Sequence, residues 1–181
     1  MTLDLGTVDT PLGPIGLYGD GDELLGLTLD GRIDLDNGVA RHLARHLAAF
    51  TTRATRDPGG AATRLRRYVR GELAALDEQP VRLLGTDFQR AVWQALRRIP
   101  AGSTRSYAQL AAAAKRPNAV RAAGAANGAN PIALFVPCHR VIGADGTLWG
   151  YGGGLARKAW LLKHEGATFS HGSQEELSLS L

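Results

Sequence analysis

Apolar and polar positions follow two rhythms along the chain. From Gly13 to Asp30, the apolar stretches Pro14-Ile15-Gly16-Leu17-Tyr18 and Leu24-Leu25-Gly26-Leu27-Thr28-Leu29 flank Gly19-Asp20-Gly21-Asp22-Glu23. That pattern predicts a hairpin of two short strands around a turn. Helical spacing follows. Val39, Leu43, Leu47 and Phe50 predict one helix, and Leu65, Val69, Leu73 and Leu76 a second, with the Thr-, Arg-, Pro- and Gly-rich stretch 51–60 between them as loop. Asp77-Glu78-Gln79-Pro80 ends the second helix, and residues 81–85 lead into another unit.

That unit opens at Thr86, an N-cap candidate, and places Phe88, Val92, Leu96 and Ile99 on one helical face until Pro100-Ala101-Gly102. Two shorter helices are expected, from Ser106 to about Ala114 and from Ala119 to about Gly128, joined by Lys115-Arg116-Pro117-Asn118. Two short helices on such a turn outline a helix-turn-helix, although generic helical hairpins share the outline. The second helix carries Ala122, Ala123, Gly124, Ala125, Ala126 and Gly128, none able to read base edges, with Arg121 as its one long side chain. Such a smooth face suits close approach to a nucleic-acid groove or tight helix packing. Further on, Ile132-Ala133-Leu134-Phe135-Val136 between Pro131 and Pro137 reads as a buried strand or extended segment. It delivers Cys138 to an edge, with Gly150-Tyr151-Gly152-Gly153-Gly154 as a loop downstream.

Composition narrows the function. The 181 residues are 44% hydrophobic and 21% charged, as in a soluble protein with one sizeable core or two small ones. Neither a signal peptide nor a membrane span is expected, so the chain reads as intracellular. Charge is uneven: residues 1–40 hold eight acidic side chains against Arg32 alone, whereas residues 41–165 hold 20 basic against 7 acidic. A surplus of that size fits a polyanionic partner, or else a solvated, arginine-biased surface. Cys138 is the single cysteine, so internal disulfides, thiolate zinc clusters and dithiol redox cycles are excluded by counting.

An inert buried thiol or a lone reactive one remains. A nucleophilic cysteine needs a partner for its proton, and His139 is adjacent in sequence. On extended backbone their side chains would point to opposite faces, so a bridging water or a local bend is required. Glu165, at the end of the last predicted helix, is a candidate to orient the histidine, or an ordinary surface carboxylate.

The stretch Thr86–Gly166 also carries Phe88-Gln89, Val92-Trp93, Ile99-Pro100-Ala101-Gly102, Ser106-Tyr107, Arg121-Ala122-Ala123-Gly124, Asn130-Pro131, Pro137-Cys138-His139-Arg140-Val141-Ile142, Gly146, Tyr151, Gly153-Gly154, Lys158 and Leu161-Leu162. In these residues it resembles the O6-alkylguanine-DNA alkyltransferases, or methylated-DNA–protein-cysteine methyltransferases. Asn-Pro eight residues ahead of the cysteine in Pro-Cys-His-Arg-Val is the most specific part.

The resemblance implies an α+β fold: a small ribonuclease-H-like α+β domain over residues 1–80 and a mainly α-helical domain with a helix-turn-helix over 86–166; the tail 167–181 lies beyond the family pattern and is expected to be disordered. It implies irreversible alkyl transfer from O6 of guanine, with O4 of thymine a further candidate, to Cys138 in double-stranded DNA. His139, through a water and held by Glu165, would take the thiol proton. Tyr107 would help rotate the nucleotide and donate to the leaving guanine. Arg121 would fill the space of the flipped base, while Ala122, Ala125 and Ala126 face the DNA. Asn130 would fix the turn before the active-site segment. Val136, Leu148, Trp149, Tyr151, Gly152 and Gly153 would form the base pocket. Trp149 and Gly152 depart from the small or polar residues usual in relatives and bear on pocket width.

No metal or organic cofactor is implied, since zinc-bearing relatives use N-terminal cysteines that this chain lacks. The expected protein is bacterial, cytoplasmic and monomeric in solution, and could assemble cooperatively along DNA. Two rivals differ in one feature each. Alkyltransferase-like sensors lack the cysteine, and a cysteine hydrolase would turn over through a thioester and leave Arg121 unexplained.

Overall fold

A computed structural model describes residues 1–170. Strands β1 (Thr2–Thr10), β2 (Gly13–Asp20), β3 (Glu23–Thr28) and β4 (Thr51–Ala54) form one sheet in the order β3-β2-β1-β4. The expected hairpin is β2–β3, antiparallel, with a register irregularity at Tyr18/Gly19. Strand β1 carries no clean alternation because both faces of the sheet are covered. Leu3 and Leu5 pack with Tyr18, Leu25, Ala40 and Leu43 on one face, while Val8 joins Ile15, Leu17, Leu24 and Leu27 on the other.

Two expectations change in this half. The loop at 51–60 contains β4, which pairs in parallel with β1 and is exposed at every position, so no apolar rhythm marks it. The helix expected from Leu65 to Leu76 is interrupted. Helix α2 (Ala61–Val69) stops ahead of Gly71, whose φ of +100° few side chains could adopt, and Leu73–Leu76 form a separate 3-10 turn. Helix α1 (Gly38–His46) starts on Asn37, whose side chain accepts the Ala40 N–H at 2.9 Å, and ends before Phe50.

Helix α3 (Asp87–Arg97) begins where expected, on a capping box between Thr86 and Gln89. Ser106 and Gln109 repeat that device for α4 (Tyr107–Ala113). Helix α5 (Val120–Gly128) follows after a turn and packs on both. Two short parallel strands, β5 (Arg105–Ser106) and β6 (Val141–Ile142), and helix α6 (Leu155–His164) complete the fold. It is a mixed α+β architecture.

One buried cluster runs from Val8 and Ile15 through Leu65 and Tyr68 to Trp93, Leu96, Cys138 and Leu161, so both halves share a core. The Leu27 N–H also donates to the Pro131 carbonyl at 2.8 Å, tying the β3 edge to the segment before the cysteine. Residues 167–170, expected as the start of a disordered tail, instead fold back: the Ser170 N–H donates to the Gly146 carbonyl at 2.8 Å. The rest of that tail, 171–181, lies outside the described residues. Among the described residues, no helix is long and apolar enough to cross a membrane.

Candidate active site

The segment 132–136 is buried, as expected, but it is a turn rather than a strand. Leu134 adopts φ +73°, and the Val136 N–H closes onto the Ile132 carbonyl at 2.9 Å. A buried leucine in that conformation is strained, so something must hold it. Asn130 does: its Oδ1 accepts the Ile132 N–H at 3.0 Å and its Nδ2 donates to the Val136 carbonyl at 2.7 Å. The hinge expected at Asn130 is therefore a two-ended side-chain staple. Cys138, His139 and Arg140 then form a 3-10 turn, not extended backbone, and all three are buried.

Glu165 is the hub of this turn, and it is buried rather than a surface carboxylate. Its Oε1 accepts from His139 Nε2 at 3.0 Å, Tyr68 Oη at 2.8 Å and Arg140 Nη2 at 2.8 Å, and its Oε2 from Arg140 Nε at 2.9 Å. Burial pushes the carboxyl up, but the hydrogen bonds from His139 and Arg140 outweigh it and bring the pKa down to about 2. A carboxylate only accepts, so His139 Nε2 carries the proton and Nδ1 is the free acceptor. Burial also lowers the His139 pKa, against the pull of Glu165, which keeps the ring neutral. Nδ1 is buried and has no hydrogen-bond partner among the described residues. The site thus contains a neutral, oriented imidazole with one unengaged acceptor beside a thiol.

The thiol is buried as well. Burial pushes the Cys138 pKa up, while the Asn130 side chain and the nearby Lys158 ammonium act in the opposite direction. Lys158 is fully buried, and its Nζ donates to the carbonyls of Val141 and Trp149, both at 2.7 Å. Its pKa falls to about 8 because burial penalises the ammonium.

Cys138 faces an open cavity of about 1520 Å³ that Tyr107, Arg121, Asn130, Trp149, Tyr151 and Gly152 also line. Tyr107, at the start of α4, is half-buried, and burial raises its pKa, with Cys138 adding to the effect. Its ring lies beside Gly124 of α5. Arg121, Ala122 and Ala125 are exposed on the outer face of α5. Tyr151 places a buried hydroxyl without a partner among the described residues.

Four expected positions differ. Ala126 points into the core at 4% exposure, while its carbonyl accepts from Trp93 Nε1 at 2.9 Å, so its methyl cannot meet DNA. The Val136 side chain is buried and its carbonyl already accepts from Asn130 Nδ2 and the Cys138 N–H, which leaves it no role toward a base. Leu148 and Gly153 do not line the cavity. No role was expected for Tyr68, Arg140 or Lys158, although the last two lie in the family motif. Tyr68 looked like one more residue of an amphipathic helix, and Arg140 like general basicity; only a lysine on the apolar side of α6 could have stood out.

Fold and site define a class: a mixed α+β protein with a lone cysteine in one turn with a histidine–carboxylate pair at the wall of an open cavity. Comparison specifies it further. Residues 87–167 match the family model described as 6-O-methylguanine DNA methyltransferase, DNA binding domain. The chain is 48% identical to the methylated-DNA–protein-cysteine methyltransferase of Salmonella typhimurium over 160 residues, 88% of this chain and 93% of that protein. It is 47% identical to the Mycobacterium tuberculosis protein of that name over 162 residues, 88% and 90% of the two chains. The crystal structure of Mycobacterium tuberculosis OGT in complex with DNA superposes with a TM-score of 0.72 at 43% identity, covering 90% of this chain and 92% of that one. The chain belongs to the methylated-DNA–protein-cysteine methyltransferase family.

Proposed function

We propose that this protein repairs O6-alkylguanine in double-stranded DNA by taking the alkyl group onto Cys138. The carrying observation is the buried Cys138 beside a neutral His139 whose Nε2 is held by Glu165. His139 Nδ1, through a water, accepts the thiol proton. The thiolate attacks the alkyl carbon, a C–S bond forms, and the C–O6 bond breaks with its electron pair going to the guanine, which takes up a proton. Tyr107, on the cavity wall, supplies that proton or a hydrogen bond. The thioether is not hydrolysed as a thioester would be, and there is no second cysteine to displace the group, so each molecule reacts once.

A base inside a duplex is out of reach of a buried thiol, so the nucleotide must leave the stack. Helices α4 and α5 are read as a helix-turn-helix whose smooth outer face, Ala122 and Ala125, enters the minor groove, with Arg121 replacing the extruded base. The N-terminal sheet is read as ribonuclease-H-like, with domains over 1–80 and 86–166. The protein is read as a cytoplasmic monomer. Incubation with excess duplex containing O6-methylguanine should transfer one methyl per molecule and then stop, and Cys138→Ser should transfer none. Continued turnover would instead support a hydrolase.

A further inference from the structure

The cavity wall carries one large exposed side chain, Trp149, whose place in the pocket is expected but whose action on the base is not. Trp149 is 60% exposed, whereas Trp93 is fully buried and Trp160 half-buried. Exposure of an indole usually goes with mobility, but this one is fixed. Its Nε1 donates to Thr147 Oγ1 at 2.8 Å, and that hydroxyl donates to Asp145 Oδ1 at 2.7 Å. Its pyrrole edge presses on Gly143 so closely that a Cβ there would lie 2.6 Å from Nε1 and 2.8 Å from Cδ1. Its carbonyl accepts from buried Lys158, which also binds the Val141 carbonyl just past the Cys138 turn. The polar end of the ring is satisfied within the loop, the residue is largely exposed, and it lines the same cavity as Cys138.

We propose that Trp149 is a base-contacting residue whose exposed indole stacks on the purine entering the pocket. The ligand class is a planar aromatic base, and the inference rests on the base-extrusion reading of the site. Stacking on an aromatic side chain accepts any base face, and a ring already fixed in place loses little freedom on binding. The position also carries a consequence: a broad ring braced by Thr147 and Gly143, on backbone that Lys158 ties to the Cys138 turn, selects for how the base sits, not only for the alkyl group.

The test compares Trp149→Ala and Trp149→Phe in the full chain, measuring the second-order rate of Cys138 alkylation by an O6-methylguanine duplex and by free O6-benzylguanine. Trp149→Ala should slow both reactions about 5-fold or more, the lower end of what losing a base–aromatic stack does. Trp149→Phe, which keeps an aromatic face, should recover most of the rate. An alanine variant as fast as the parent, or faster with the benzyl compound, would show a gate instead of a platform and overturn the proposal. So would a phenylalanine variant no better than alanine. Arg121→Ala separates the underlying reading: a loss confined to the duplex supports extrusion whatever Trp149 does. Equal losses on both substrates refute the extrusion role while leaving the free-base result for Trp149 intact.

Discussion

Replacing Glu165 with glutamine keeps the shape of the side chain and removes its charge. In the folded protein that carboxylate accepts from Tyr68, His139 and, twice, Arg140. A glutamine offers one oxygen and turns its NH2 toward Arg140, which can only donate, leaving that guanidinium buried without its counter-charge. Breaking a buried pair in this way costs about 3–5 kcal/mol. The carboxyl itself gives a consistent figure: held near 2 instead of 4.5, it contributes about 3 kcal/mol at neutral pH. The sign follows from the depressed value. The contribution is complete above the unfolded pKa of 4.5 and is lost as pH falls through that value towards about 2, so about 1 kcal/mol survives at pH 3. Urea unfolding with a slope of about 2 kcal/mol/M should show the Glu165→Gln midpoint about 1.5 M below the parent at pH 7, and well under 1 M below it at pH 3. A shift below about 0.5 M at pH 7, or one equal at both pH values, would refute the hub role assigned to Glu165.

Gly71→Ala should destabilise by about 1–2 kcal/mol in the same urea assay, because the site is open and only the +100° φ opposes a side chain. Lys158→Met keeps the aliphatic stem but frees the Trp149 and Val141 carbonyls. Alkylation by free O6-benzylguanine should slow about 10-fold, while stability changes by less than about 2 kcal/mol because a buried charge goes with its hydrogen bonds. With the His139 pKa pushed below 6.5 by burial, the imidazole stays neutral where a free one would be half protonated. The alkylation rate should therefore hold down to pH 6.5 and fall only below it; a midpoint at or above 6.5 in a pH–rate profile would contradict that assignment.

The helical half was legible because its signals are local. Thr86 and Ser106 each carry a glutamine three residues on, and Phe88, Val92 and Leu96 repeat on one face of α3, so caps and faces could be read directly. Strands β1 and β4 were not legible: β1 is covered on both faces and loses its alternation, and β4 is exposed throughout and owes its existence to pairing with β1. Cys138, His139 and Glu165 were singled out by chemistry and family pattern, and the structure brings the last two into contact. Tyr68 reaches Glu165 across 97 positions of sequence, a distance over which no local rhythm carries information. Lys158 was visible as a motif residue, but its role depends on two carbonyl groups, which leave no trace in side-chain identity.

The most direct test of the central claim is intact-mass analysis with peptide mapping after incubation with an O6-methylguanine duplex. One added methyl on the peptide containing Cys138, with unmodified guanine left in the DNA, is the predicted result. Complete binding of the duplex with Cys138 unmodified would contradict alkyl transfer and mark the protein as a lesion sensor.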